Sequence, residues 1–151
     1  MMILLSFALV LTALTVVIHG AGTLLVLARL AVLRQGHKAQ PLTQALSVVR
    51  TVAALLILHV LEASVWAMFF VLADALPDLE TALYFSMTSY TTVGYGDVVL
   101  PAAWRLLGPI ESAVGILMFG WSTAIIVAAI TRIHGERLRS VGGSEVPPAQ
   151  P

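Results

Sequence analysis

The chain has 151 residues, with 8 Lys and Arg against 8 Asp and Glu and no cysteine. Charged residues make up 11% and hydrophobic residues 59%, where a soluble domain carries about 25% charge. Such a composition excludes an ordinary soluble globule, a nucleic-acid binder that neutralises phosphates with basic excess, and any disulfide, thiolate or Cys-ligated metal.

Met1 to Ala28 contains no charged residue. That exceeds the roughly 20 residues a helix needs to cross a bilayer core, and predicts a first span over 3–28. A cleaved signal peptide is the competing reading. Against it stand the missing basic n-region and an apolar run longer than about 7–15 residues. The span is expected to be retained, as an N-terminal transmembrane helix over 1–33.

Residues 34–48 are expected to form a cytoplasmic loop and an interfacial lead-in. Arg34 to Pro41 has turn-forming, polar composition. Leu42, Ala45, Leu46 and Val49 then repeat at helical spacing. Between Thr51 and Ala73 the only charged residue is Glu62, predicting a second span over 49–73. His59 and Glu62, three apart, share a helix face deep in that span. Intramembrane ionisable residues are functional candidates by default. The plainer role for this pair is structural, tying spans together or holding the next helix through Ser86 or Thr88; proton sensing is the alternative. His19, mid-depth in the first span, either makes a lone helix–helix hydrogen bond, the plainer reading, or joins the cluster.

Thr81 to Gly96 is uncharged but short and polar, and suits a re-entrant element that enters and leaves on one side. Asp78 is an N-cap candidate, Glu80 adds first-turn negative charge, and a helix is expected over 79–91. It gives way to Thr92-Val93-Gly94-Tyr95-Gly96-Asp97, where the glycines permit backbone angles closed to other residues. Alternating such angles with ordinary ones turns successive carbonyls to one side. The helix's C-terminal end would present its negative dipole pole to a cation.

The third span is expected over 104–131, with Glu111 its only charged residue beyond Arg105. Residues 134–151 are expected to form a disordered cytoplasmic tail. Arg29, Arg34, Lys38 and Arg50 precede the second span, and Arg132, Arg137 and Arg139 follow the third. The positive-inside rule therefore predicts the N-terminus outside and the C-terminus in the cytoplasm, with the re-entrant segment entering from outside. Trp104 suits an outer aromatic belt; Trp66 and Trp121 are assigned to packing. Pro109 lies either in the first turn of the third span's helix or at a kink.

Thr91-Thr92-Val93-Gly94-Tyr95-Gly96-Asp97 is identical to the signature of potassium channels, and residues 49–133 resemble the minimal two-span potassium-channel pore of bacteria. The resemblance implies an all-α membrane protein: three transmembrane helices, a re-entrant pore helix and a selectivity-filter loop, assembled as a homotetramer. It implies passive K⁺ transport through the cell membrane, with K⁺ as cargo and no cofactor, enzyme chemistry or nucleic-acid partner. The carbonyls of Thr92, Val93, Gly94 and Tyr95, with the Thr92 hydroxyl, would coordinate K⁺, and Gly96 would shape the outer mouth. Thr91, Asp97, Tyr84 and Thr88 would support the filter, Tyr84 by donating toward Asp97. Gly115 matches the hinge position of the inner helix, close packing being its other reading. Gly120 is assigned to packing or gating, and Thr123 and Ala124 to the cavity or inner gate.

Departures from the pattern are Tyr84-Phe85 where a Trp pair is common, and Thr88 where many bacterial pores carry a Glu behind the filter. Glu111 would stand in for that carboxylate or occupy a satisfied packing position. The first span has no counterpart in the minimal pore, and no Arg-rich voltage-sensing helix is present. Regulation by an unspecified subunit, membrane tension, pH or constitutive leak stays open. Competing classes are a transporter subunit, a non-conducting sensor or assembly subunit, and a nonselective cation channel.

Overall fold

A computed structural model describes residues 1–34 and 41–142 of the chain. Four helices follow in order: α1 (Met2–Arg34), α2 (Pro41–Leu72), α3 (Leu79–Tyr90) and α4 (Leu107–Gly142), with no strand among the described residues. Three of them, over Met2–Arg29, Leu42–Leu72 and Leu107–Thr131, are long and apolar enough to cross a membrane. The fourth, α3, has 12 residues and rises about 18 Å, too little for a hydrocarbon core of about 30 Å.

Several boundaries differ from the sequence expectation. The lead-in is not a separate interfacial element: α2 begins at Pro41 and runs unbroken through it. Proline suits the first helical turn, and no Gly or Pro interrupts 42–72. The expected loop at 35–40 lies outside the described residues. The third span's helix starts at Leu107, after a run of turns over 102–106, which puts Pro109 in its first turn. It then continues to Gly142, so the tail expected to be disordered from 134 is helical over its first part. The glycine pair and prolines that discourage helix come only at Gly142-Gly143 and Pro147-Pro148; residues 143–151 lie outside the described residues.

α2 ends in a Schellman turn. Asp74 takes φ +51°. Its N–H donates to Val71 O at 3.1 Å, and the Ala75 N–H donates to Phe70 O at 2.9 Å. Glycine usually fills this left-handed position; a short polar residue is the next best. The turn seats Ala75 and Phe70 in the core and reverses the chain toward α3. Asp78 caps α3, its Oδ1 accepting the Thr81 N–H at 2.8 Å.

α1 packs on α2 and α4, and α3 sits between α2 and α4. The core joins Trp66, Phe70, Phe85, Tyr90, Leu107, Val114 and Met118. Phe70 meets Phe85 edge-on at 5.4 Å between ring centroids. Trp104, expected at an aromatic belt, is half-buried and lies edge-on to Phe69 at 5.5 Å. Trp66 is fully buried and donates to Thr15 Oγ1 at 3.0 Å, linking α2 to α1. Trp121 departs from the packing expectation: it is 42% exposed, with one face toward His19.

Candidate functional site

Residues 92–97 leave the end of α3 as exposed, irregular backbone. Thr91 caps the helix, and its hydroxyl donates to Met87 O at 2.6 Å. Positive φ occurs at Thr92 (+63°), Gly94 (+52°) and Gly96 (+79°), and not at Val93 or Tyr95 between them. The alternation that the glycines allow is therefore present, and it begins one residue earlier than they do. Thr92 was not foreseen in that role. A β-branched residue with positive φ is a true outlier, costing about 1–3 kcal/mol and held only by its surroundings. The Thr92 N–H donates to Ser89 O at 2.9 Å and the Gly94 N–H to Thr88 O at 3.0 Å. Val93 and Tyr95 are 52% and 73% exposed in the isolated chain.

The outer end of this segment is tied back to α3. Tyr84 Oη donates to Asp97 Oδ2 at 2.7 Å, and Asp97 Oδ1 accepts the Val98 N–H at 3.0 Å. The Tyr84 hydroxyl holds the Asp97 carboxyl below the usual carboxylate range. Thr88 acts through its backbone: its carbonyl receives Gly94, while its hydroxyl donates to Phe85 O at 2.9 Å. Glu111 does not reach the filter. It is fully buried, and the polar side chain that faces its carboxyl is Ser86. Of the two sequence readings of Glu111, the single chain shows burial beside Ser86 and no bond to residues 91–97.

Gly115 is a close-packing glycine. A Cβ there would stand 2.0 Å from the Tyr90 carbonyl oxygen, so α4 and the end of α3 touch backbone to backbone. The hinge reading has no opening at this point. Around Gly120 nothing lies within 4 Å of a Cβ, so no packing within the chain requires it. Thr123 is exposed and its hydroxyl donates to Phe119 O at 2.8 Å; Ala124 is exposed beside it.

The intramembrane polar residues gather into one buried cluster. His19 Nδ1 lies 2.9 Å from Glu62 Oε1, and His19 Nε2 lies 3.4 Å from Ser122 Oγ. Ser122 Oγ is 3.0 Å from His59 Nε2, and His59 Nδ1 is 3.4 Å from Tyr90 Oη and 3.3 Å from Glu62 Oε2. Tyr90 Oη donates to Glu62 Oε2. His19 thus makes two polar contacts, not a lone one. The group of α3 that meets His59 and Glu62 is Tyr90, not Ser86 or Thr88. Tyr90 and Ser122 were missed by sequence reasoning. The signal for Ser122 was a hydroxyl inside an apolar span; for Tyr90, its place directly before the filter motif. His19, His59 and Glu62 bring nitrogen and oxygen atoms within 4.8 Å of one another, each already engaged by these neighbours. His59 also stacks on Phe119 at 4.1 Å.

A short re-entrant helix between two spans, ending in a strand of exposed carbonyl-bearing backbone, is the architecture of a pore. The sequence profile of a protein family described as "Ion channel" matches residues 54–132. The chain belongs to this ion-channel family. The match covers α3, the filter segment, most of α2 and the apolar length of α4; the channel's first helix lies outside it. Comparison with curated proteins and with solved structures returns no match.

Proposed function

We propose that four copies of the chain form a K⁺-selective channel, with residues 92–96 of each copy facing a common axis. The observation that carries this reading is the alternation of φ at Thr92, Gly94 and Gly96 within the motif Thr91–Asp97. Alternation of this kind directs successive carbonyls to one side. Four such strands would present rings of oxygen that replace the water shell of a dehydrated monovalent cation. Each chain supplies one strand, so closure of the rings requires a symmetric assembly.

On this reading the carbonyls of Thr92, Val93, Gly94 and Tyr95, with the Thr92 hydroxyl, coordinate K⁺, and Gly96 shapes the mouth. The exposure of Val93 and Tyr95 in the single chain suits surfaces that neighbouring copies cover. The C-terminal pole of α3 stabilises a cation at mid-membrane, where charge is otherwise expensive. The Tyr84–Asp97 bond and the two backbone bonds to Ser89 and Thr88 hold the strand without using its remaining carbonyls. The positive-inside rule supports an N-terminus outside a cell membrane and a C-terminus in the cytoplasm.

Purified protein in liposomes under an outward K⁺ gradient tests the proposal. Uptake of ⁸⁶Rb⁺ that Ba²⁺ blocks, with at least about tenfold preference over Na⁺ (about 1.4 kcal/mol), is expected. Equal competition by Na⁺ overturns the selectivity. Saturable exchange insensitive to Ba²⁺ indicates a transporter instead.

A further inference from the structure

The polar cluster has a proton count that its geometry dictates. Five contacts close a ring: His19 to Glu62, His19 to Ser122, Ser122 to His59, His59 to Tyr90, and Tyr90 to Glu62. Each contact needs one proton between its two heavy atoms. Two neutral imidazoles, one serine and one tyrosine bring four, and a carboxylate brings none. With four protons one contact sets lone pair against lone pair, and the buried cluster carries a net negative charge.

A fifth proton resolves both defects. His19 then donates from Nδ1 to Glu62 and from Nε2 to Ser122; Ser122 donates to His59 Nε2; the His59 Nδ1–H donates to Tyr90 and faces Glu62 as well; Tyr90 donates to Glu62. An equivalent form keeps the proton on the Glu62 side of the 2.9 Å contact. In either form the net charge is zero, which a low-dielectric site favours strongly. A sixth proton would give the ring a net positive charge, which the same low-dielectric site disfavours.

We propose that His19, Glu62, Tyr90, His59 and Ser122 form a binding site for a single proton, and that its occupancy couples α1 to the base of the filter. The ring takes one group from α1, two from α2, one from α3 and one from α4, so every helix contributes. No basic group competes on α1 or α2 nearby: Arg29 and Arg50 stand roughly 14 Å or more away along their helices. On α3 Tyr90 is the facing group. On α4 the remaining ionisable neighbour is Glu111, itself fully buried. Loss of the proton opens one link, and the two at 3.4 Å are the first to yield. One of these joins α1 to α4; the other joins α2 to Tyr90, the residue immediately before Thr91. The consequence for conduction rests on the channel reading above; the proton count does not.

The test uses the full chain in lipid bilayers, labelled with ¹⁵N-histidine and ¹³C-glutamate and followed by solid-state NMR between about pH 5 and 8, where imidazole ordinarily changes charge. His37 and His134, outside the ring, serve as internal references. At the acid end the His19–Glu62 pair is expected to carry its extra proton while the His59 ring stays neutral. Two imidazolium rings at the acid end, or a singly protonated His19 beside a carboxylate there, overturn the site. So do signals that shift on adding Zn²⁺ and return with EDTA. In parallel, Ba²⁺-sensitive ⁸⁶Rb⁺ flux is expected to fall at least about threefold as the proton leaves, and to lose that dependence in Glu62→Gln. A flat flux profile beside a one-proton NMR titration overturns the coupling alone. Absence of any Ba²⁺-sensitive flux overturns the channel reading and leaves the proton count standing. The NMR measurement is made on the unaltered chain, so poor folding of Glu62→Gln does not affect it.

Discussion

Residues 91–97 and the buried ring meet at Tyr90 and are built in opposite ways. The first is backbone, exposed, and held by a few bonds at its edges. The second is side chain, shut away from solvent, and bonded throughout. On the proposed channel reading, a segment that lends oxygens to a passing ion keeps them unengaged. A cluster inside an apolar core engages every polar atom, because an unpaired one there costs about 1–3 kcal/mol.

The sharpest way to break both regions at once is Gly115→Ala. Its methyl meets the Tyr90 carbonyl, and both partners are backbone, so neither yields by rotating. Destabilisation at or above the top of the usual overpacking range, about 3 kcal/mol, is expected, measured as a lowered midpoint in thermal denaturation. Gly94→Ala strikes the filter alone. Its φ of +52° strains any Cβ even though space is open. A cost of about 1–2 kcal/mol per chain is expected, read as loss of Rb⁺ over Na⁺ preference with the particle intact. If selectivity survives, the filter assignment falls.

The same contrast governs what the sequence reveals. The Thr91–Asp97 motif was visible because it is contiguous: seven residues in a row, between a capped helix and an apolar span. The ring was readable only in part. His59 and Glu62 share a helix face and were paired at once, but Ser122 lies 103 positions from its partner His19, and no periodicity announces such a meeting. Tyr90 was not singled out, since it stands just outside the motif that begins at Thr91. The three spans and the short helix followed from charge-free lengths. The helix ends did not, since nothing in composition separates a lead-in from the span it continues into. Thr92 escaped because a β-branched residue is the last type expected at positive φ; the frame around it, not its own preference, sets that angle.

Smaller perturbations sharpen the comparison. Thr15→Val removes the acceptor of the Trp66 N–H and tests whether α1 is held by the ring or by this second bond. A loss near about 0.6 kcal/mol, the average for interhelical hydrogen bonds in a membrane, is expected in thermal denaturation, with filter selectivity unchanged. Tyr84→Phe is the mildest. Its hydroxyl holds the Asp97 carboxyl low, so the bond contributes stability above the ordinary carboxylate value of about 3.9. That contribution is lost as pH falls through the depressed value of Asp97. The variant is expected to lose the outer mouth at a higher pH than the parent on acid titration, followed by the ¹³C carboxyl signal of Asp97.

The absence of any side chain between α4 and Tyr90 at Gly115 has a mechanical corollary. The inner helix is clamped to the pore helix there, main chain against main chain, so it cannot roll at that level without shearing the filter's foundation. Farther along α4 a second tie follows, where the Ser122 hydroxyl meets His59 and His19. The helix is thus held twice over about two turns, by main chain at Gly115 and by a side chain at Ser122.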